Sequence, residues 1–173
     1  TGTGGEQSDS ESVDITISAI NDDVTATNTA QTLSVNEDST ANDLDDIVLS
    51  DPDAADASPD SYTISLTLSD TAAGSLSADS GRGESFSSGV WSMTSVTLAD
   101  ANIALAAMTY TPTANYDVDS SIAISIEDSN GSSITDTIII DLVPTNDTPS
   151  ATEMDQTLSF DEDSVDNALT TIV

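Results

Sequence analysis

Tyr62-Thr63-Ile64-Ser65-Leu66-Thr67-Leu68-Ser69 places a large apolar side chain at every second position and a hydroxyl side chain between each pair. Successive side chains of a strand point to opposite faces. The segment therefore predicts a β-strand with one face in a core and the other in water. Ile122, Ile124 and Ile126 alternate with Ala123, Ser125 and Glu127 in the same way, and 134–143 adds a longer run rich in β-branched residues. Fainter alternation marks 31–36, 44–49, 74–78, 90–97 and 107–111. Asp51-Pro52-Asp53, Ser80-Gly81, Ser88-Gly89, Thr111-Pro112 and Asn130-Gly131 punctuate these segments with turn chemistry. About seven or eight short strands so punctuated predict an all-β fold, an antiparallel β-sandwich. Only 98–107 reads as helical, with Asp100 as its cap and Ile103, Leu105 and Met108 facing inward. Trp91 stands in an alternating context and reads as a core anchor in preference to a ligand-stacking residue.

The unit is copied in tandem. Ile20-Asn21-Asp22-Asp23-Val24-Thr25-Ala26-Thr27 returns as Thr145-Asn146-Asp147-Thr148-Pro149-Ser150-Ala151-Thr152. Gln31-Thr32-Leu33-Ser34-Val35-Asn36-Glu37-Asp38-Ser39 returns, at the same offset and without a gap, as 156–164. Such self-similarity is the signature of a repeat array, whose modules usually serve as spacers or binding elements. It divides the chain into the last strand of a preceding copy (1–22), one complete copy (23–147) and the opening of a following copy (148–173). Val13, Ile15 and Ile17 align with Ile138, Ile140 and Leu142.

The net charge is −31, and Arg82 is the one basic side chain. No basic patch exists to neutralise phosphate, so nucleic acid and anionic membranes are excluded as partners. For the scattered carboxylates, solubility or a salty habitat is as good an explanation as cation binding, whereas the recurring clusters favour calcium. Carboxylates packed this densely nonetheless oppose compaction unless cations intervene. With 3% aromatic residues disorder comes into question, but 36% hydrophobic content and the clear alternation favour a folded chain. The chain has no Cys and no His, and its single basic residue is not Lys. Acyl-transfer triads, Schiff bases and disulfides are thereby excluded. A paired-carboxylate glycosidase is the one enzymatic reading left open by composition. The acidic residues fall in turns, without an aromatic-lined cleft, and the chain is expected not to be an enzyme. No run of about 18 apolar residues is present to span a bilayer, and 1–20 lacks the pattern of a signal peptide.

If the strands run up and down a sandwich, each turn can be assigned to one end. Residues 23–36 descend and bring Glu37 and Asp38 to the lower end; the next strand returns Asp51 and Asp53 to the upper end. Strand 62–69 descends, 119–127 ascends to Asp128, and 134–143 descends to Asn146-Asp147. The upper group is then Asn21, Asp22, Asp51, Asp53 and Asp128; the lower group is Glu37, Asp38, Asn146 and Asp147. Calcium takes about six to eight oxygen ligands, which loops of Asp, Asn and backbone carbonyl supply without Cys or His. These two groups are the candidate Ca2+ sites. An EF-hand loop and the glycine-rich nonapeptide of β-rolls are both absent from the sequence.

Several segments together resemble a known family. They are Val35-Asn36-Glu37-Asp38-Ser39, Leu49-Ser50-Asp51-Pro52-Asp53-Ala54, and 105–108 followed by Thr109-Tyr110-Thr111-Pro112-Thr113-Ala114-Asn115-Tyr116. Ile126-Glu127-Asp128-Ser129-Asn130-Gly131 and Asn146-Asp147-Thr148-Pro149 complete the set, which covers nearly all of 22–152. The chain is similar to the bacterial cadherin-like tandem repeats of large secreted surface adhesins. The resemblance implies a Greek-key β-sandwich of cadherin/immunoglobulin-like type, exported by type I secretion to the cell surface. It also implies a role in holding adhesive domains away from the cell during attachment and biofilm formation. By the same resemblance Glu37 is the acidic ligand after the first strand, Asp51 and Asp53 form the Asp-x-Asp pair, and Asn21-Asp22 and Asn146-Asp147 are linker motifs. The chain departs from the family at Asp23-Val24, which lacks the linker proline, at Thr148, and in extra length over 70–90.

The leading expectation is a calcium-rigidified extender module whose partners are the neighbouring repeats of its own chain. A second reading makes the domain itself a binder of glycan or protein through Asp70–Gly89, with Arg82 and Phe86 beside Trp91. A third is a self-assembling fibre subunit, joined through its partial copies.

Overall fold

The computed structural model describes residues 2–5, 9–18, 20–56, 59–149 and 162–163. The expected following copy over 148–173 lies outside the described residues, save for 148–149 and 162–163. Among the described residues the chain is mostly β, with strands β1 (Thr25–Thr27), β2 (Thr32–Asn36), β3 (Asn42–Asp43), β4 (Val48–Ser50), β5 (Tyr62–Leu68), β6 (Gly74–Ser77), β7 (Ser85–Ser87), β8 (Val90–Val96), β9 (Thr109–Pro112), β10 (Ser120–Asp128) and β11 (Ser133–Val143). One α-helix is found among the described residues, α1 (Leu98–Ala106), which joins β8 to β9, and a 3-10 turn covers Pro52–Ala55.

A six-stranded sheet has the order β2-β11-β10-β5-β8-β7; a three-stranded sheet, β3-β9-β6, and a two-stranded one, β1-β4, accompany it. The alternation read in the sequence is the alternation of burial. Tyr62, Ile64, Leu66 and Leu68 of β5 are buried, as are Ile122, Ile124 and Ile126 of β10 and Ile138, Ile140 and Leu142 of β11. Leu76, Leu105, Met108 and Tyr110 belong to the same core, which is sandwich-like. Trp91 is 1% exposed and is the core anchor expected.

Strand directions place the two poles. β10 is antiparallel to both β5 and β11, so the start of β5 and the end of β10 meet at one pole, with Asp128 opposite Tyr62. β2 is parallel to β11, and their ends meet at the other pole, where Val143 faces Asn36. This parallel pair breaks the expected all-antiparallel pattern. Both strands descend, and a descending strand set beside another descending strand must pair with it in parallel.

Three local expectations are also corrected. Thr111-Pro112 is not a turn but the end of β9, where Pro112 faces Gly74 of the edge strand β6. The helix cap is Thr97, whose Oγ1 accepts from the Asp100 amide at 3.1 Å; Asp100 lies in the first turn. Starting the helix at Leu98 turns Ala101, Ala104 and Leu105 inward and leaves Ile103 44% exposed. Val13, Ile15 and Ile17 belong to no strand among the described residues and lie exposed. No helix among the described residues is long and apolar enough to cross a membrane.

Candidate metal centre

The upper pole gathers Asp51, Asp60 and Asp128, all buried, with one carboxylate oxygen of each within 4.8 Å of the others. Each is aimed by its own stretch of backbone. Asp128 closes the β10–β11 hairpin: its Oδ1 accepts from the amides of Asn130 at 2.9 Å and Ser132 at 2.8 Å. Gly131, at φ +96°, takes the left-handed position that this turn requires. Asp51 caps the 3-10 turn, its Oδ1 accepting from the Asp53 amide at 2.9 Å, while Oδ2 accepts from the buried Tyr62 hydroxyl at 2.8 Å. Asp60 precedes β5, and its Oδ1 accepts from Ser129 Oγ at 3.0 Å and from Asn130 Nδ2.

The remaining oxygens matter most. Asp60 Oδ2 and Asp128 Oδ2 are buried and have no hydrogen-bond partner. A buried, unpaired carboxylate oxygen is costly, and no basic side chain compensates these. Arg82, the chain's one basic residue, is held by Asp100 at 2.9 Å. The donor set consists of hard oxygens only, with neither sulfur nor imidazole, and it suits calcium in preference to transition metals. Three carboxylates do not fill a calcium shell alone; backbone carbonyls and water would supply the rest.

Residues 21–22, ahead of β1, touch this pole. Asn21 Oδ1 accepts from Asn130 Nδ2 at 2.6 Å, and Asn130 also donates to Asp60. The Asp22 amide donates to Asp53 Oδ2. Of the expected upper group, Asp51 and Asp128 thus enter the carboxylate cluster. Asn21 adjoins it, and Asp22 and Asp53 bind each other beside it.

At the lower pole Glu37, Asp38 and Asp147 form the second group, with Glu37 buried and the other two exposed. Glu37 extends the β2–β11 pairing: its amide donates to Val143 O at 3.1 Å, and its Oε1 accepts from the Thr145 amide at 2.7 Å. The Asp38 charge, then burial and the Glu37 charge, push the Asp147 carboxyl above its ordinary value. Asn146 is not drawn in by its side chain, whose Nδ2 donates to the Asp147 carbonyl at 3.2 Å.

Asp60 is the residue that the sequence reading missed. Its signal was present: a strand that begins at Tyr62 and descends must begin at the top, and the acidic residue just ahead of it belongs to that end. Comparison with protein-family models and with curated proteins yields no match.

Proposed function

We propose that this chain is a calcium-rigidified extender module, a cadherin-like Greek-key repeat of a bacterial surface adhesin or extracellular filament serving cell adhesion and biofilm formation. One observation carries the reading. The buried Asp51–Asp60–Asp128 cluster holds two unpartnered oxygens and lies against the linker that enters the module. A cation there ties Asn21-Asp22 to the hairpin at Asn130, and a second at Glu37, Asp38 and Asp147 ties down the linker that leaves. Rods of such modules stiffen because each junction loses its freedom when both poles are filled. Binding to the folded state alone also stabilises it, by about 2.7 kcal/mol at a concentration 100-fold above Kd. At a secreted location on the cell surface the expected Kd is that of extracellular calcium modules, about 10⁻⁴–10⁻³ M.

Calcium titration with thermal unfolding tests the proposal. Millimolar calcium should raise the Tm, and scattering from a chain of two consecutive copies should show it straighten. An unchanged Tm and an unchanged profile sink the reading.

Self-association into fibres is a second reading, carried by Val13, Ile15 and Ile17 at 83%, 80% and 89% exposure. Their alternation is that of a core strand without a ladder. Electron microscopy of the purified chain separates filaments from monomers.

A further inference from the structure

We propose that two surface turns, through Asn130 and Asp53, grip the segment ahead of β1 and pass on to it the occupancy of the Asp51–Asp60–Asp128 cluster. The inference rests on the calcium reading above. It adds the two positioning residues through which a bound cation acts on Asn21 and Asp22, neither of which belongs to the cluster itself.

The contacts form two chains of the same plan. Asn21 Oδ1 accepts from Asn130 Nδ2 at 2.6 Å, and the same Nδ2 donates to Asp60 Oδ1. A side-chain amide carries two N–H donors, so Asn130 serves both acceptors at once. Its backbone amide donates to Asp128 Oδ1 at 2.9 Å. In the second chain the Asp22 amide donates to Asp53 Oδ2, and the Asp53 amide donates to Asp51 Oδ1 at 2.9 Å. Neighbouring residues of one segment are thus tied to two different turns, the β10–β11 hairpin and the 3-10 turn at Pro52–Ala55. Each turn is in its own right tied to a different carboxylate of the cluster.

A cation shared by the three carboxylates fixes the two turns against each other, because an amide of each turn is bonded to one of its ligands. The Asn130 amide group and the Asp53 carboxylate are then already in place when residues 21–22 dock, and docking loses less entropy. Asn21, Asp22 and Asn130 are exposed, and one exposed hydrogen bond holds a segment weakly. Two on neighbouring residues hold it better, since closing the first presents the second at high effective concentration. The effect is reciprocal: the factor by which the cation favours docking is the factor by which docking favours the cation.

The chain has no Cys, so Ser18→Cys, at an exposed position shortly ahead of Asn21, takes a single fluorescent label. Calcium is titrated into the labelled full chain and followed by calorimetry and by fluorescence anisotropy. With both turns unaltered, calcium should bind and the anisotropy should rise. Asn130→Ala combined with Asp53→Ala removes both side-chain tethers. It keeps the backbone amides on Asp128 and Asp51, and Ser129 Oγ still donates to Asp60 Oδ1 at 3.0 Å. The double variant should therefore still bind calcium, about five-fold more weakly, with no rise in anisotropy. A full rise in the double variant, or binding without a rise when both turns are unaltered, overturns the grip and leaves the calcium reading standing. Loss of calcium binding in the double variant alone also overturns it, because the two side chains are then ligands and not tethers. No calcium binding by either chain overturns the calcium reading and the grip with it.

Discussion

The Tyr62 hydroxyl donates to Asp51 Oδ2 at 2.8 Å, so a phenol at the start of β5 aims a carboxylate that caps a turn ahead of it. Burial, then this bond, then the charges of Asp51, Asp60 and Asp128 hold the phenol well above its ordinary range. It remains a donor through neutral pH. Tyr62→Phe removes the donor and leaves the ring. Calorimetry should show calcium affinity falling several-fold, and the calcium-free chain should lose about 1–2 kcal/mol of stability. Affinity equal to that of the unaltered chain would mean that Asp51 needs no such positioning.

Asp60→Asn distinguishes a metal site from an ordinary polar network. The substitution keeps the shape and removes one of the buried charges, whose Oδ2 has no partner. Without calcium the Tm should rise by a few degrees, corresponding to about 1 kcal/mol of relieved repulsion. With calcium the variant should gain less than the unaltered chain. If melting scans with and without calcium shift by the same amount in both proteins, Asp60 is not a ligand.

Asp147 sets a pH dependence at the lower pole. Its folded-state pKa lies above the ordinary 3.8, first because of Asp38 and then through burial and Glu37. A raised carboxyl pKa contributes stability below 3.8 that is lost as pH rises through the folded value. Asp70 and Asp136 run the other way: a hydrogen bond from Tyr116 lowers the first and one from Thr29 lowers the second. Their contribution is lost as pH falls below 3.8, so the two windows are separate. Calcium-free melting should therefore show Asp147→Asn gaining on the unaltered chain as pH rises above 3.8, and no difference below it. Protons should also compete with calcium in that upper window. A pH-independent difference between the two proteins would rule out the coupling to Asp38.

Gly74 tests the packing between β6 and β9. A Cβ there would lie 2.7 Å from the Tyr110 hydroxyl and closer still to the Thr111 carbonyl oxygen. The backbone oxygen cannot swing aside, and the Tyr110 hydroxyl is committed to Ala73 O at 2.8 Å. Gly74→Ala should cost about 1–3 kcal/mol in chemical unfolding. A neutral result would show that β6 slides freely at the sheet edge.

Much of the fold was legible because a strand's side-chain period is a local property. Tyr62–Leu68, Ser120–Asp128 and Ser133–Val143 carry their burial in their alternation, and they form the centre of the large sheet. Short strands such as Asn42–Asp43 and Ser85–Ser87 have too few residues to show a period. The helix was visible but its rotation was not. Asp100 read as the cap and Ile103 as inward-facing, whereas Thr97 caps the helix and Ile103 is turned out.

The sequence by itself led to the expectation that acidic turns collect at two ends, because the long strands run alternately up and down between them. It also determined that no basic side chain would be free to neutralise them, because Arg82 stands alone. Tertiary structure decided which oxygens were spent and which were left. Asp128 Oδ1 is consumed by its own hairpin and Asp60 Oδ1 by Ser129 and Asn130. The buried Oδ2 of each is then without a partner. That outcome depends on side chains distant in sequence meeting at fixed angles, which no local pattern encodes.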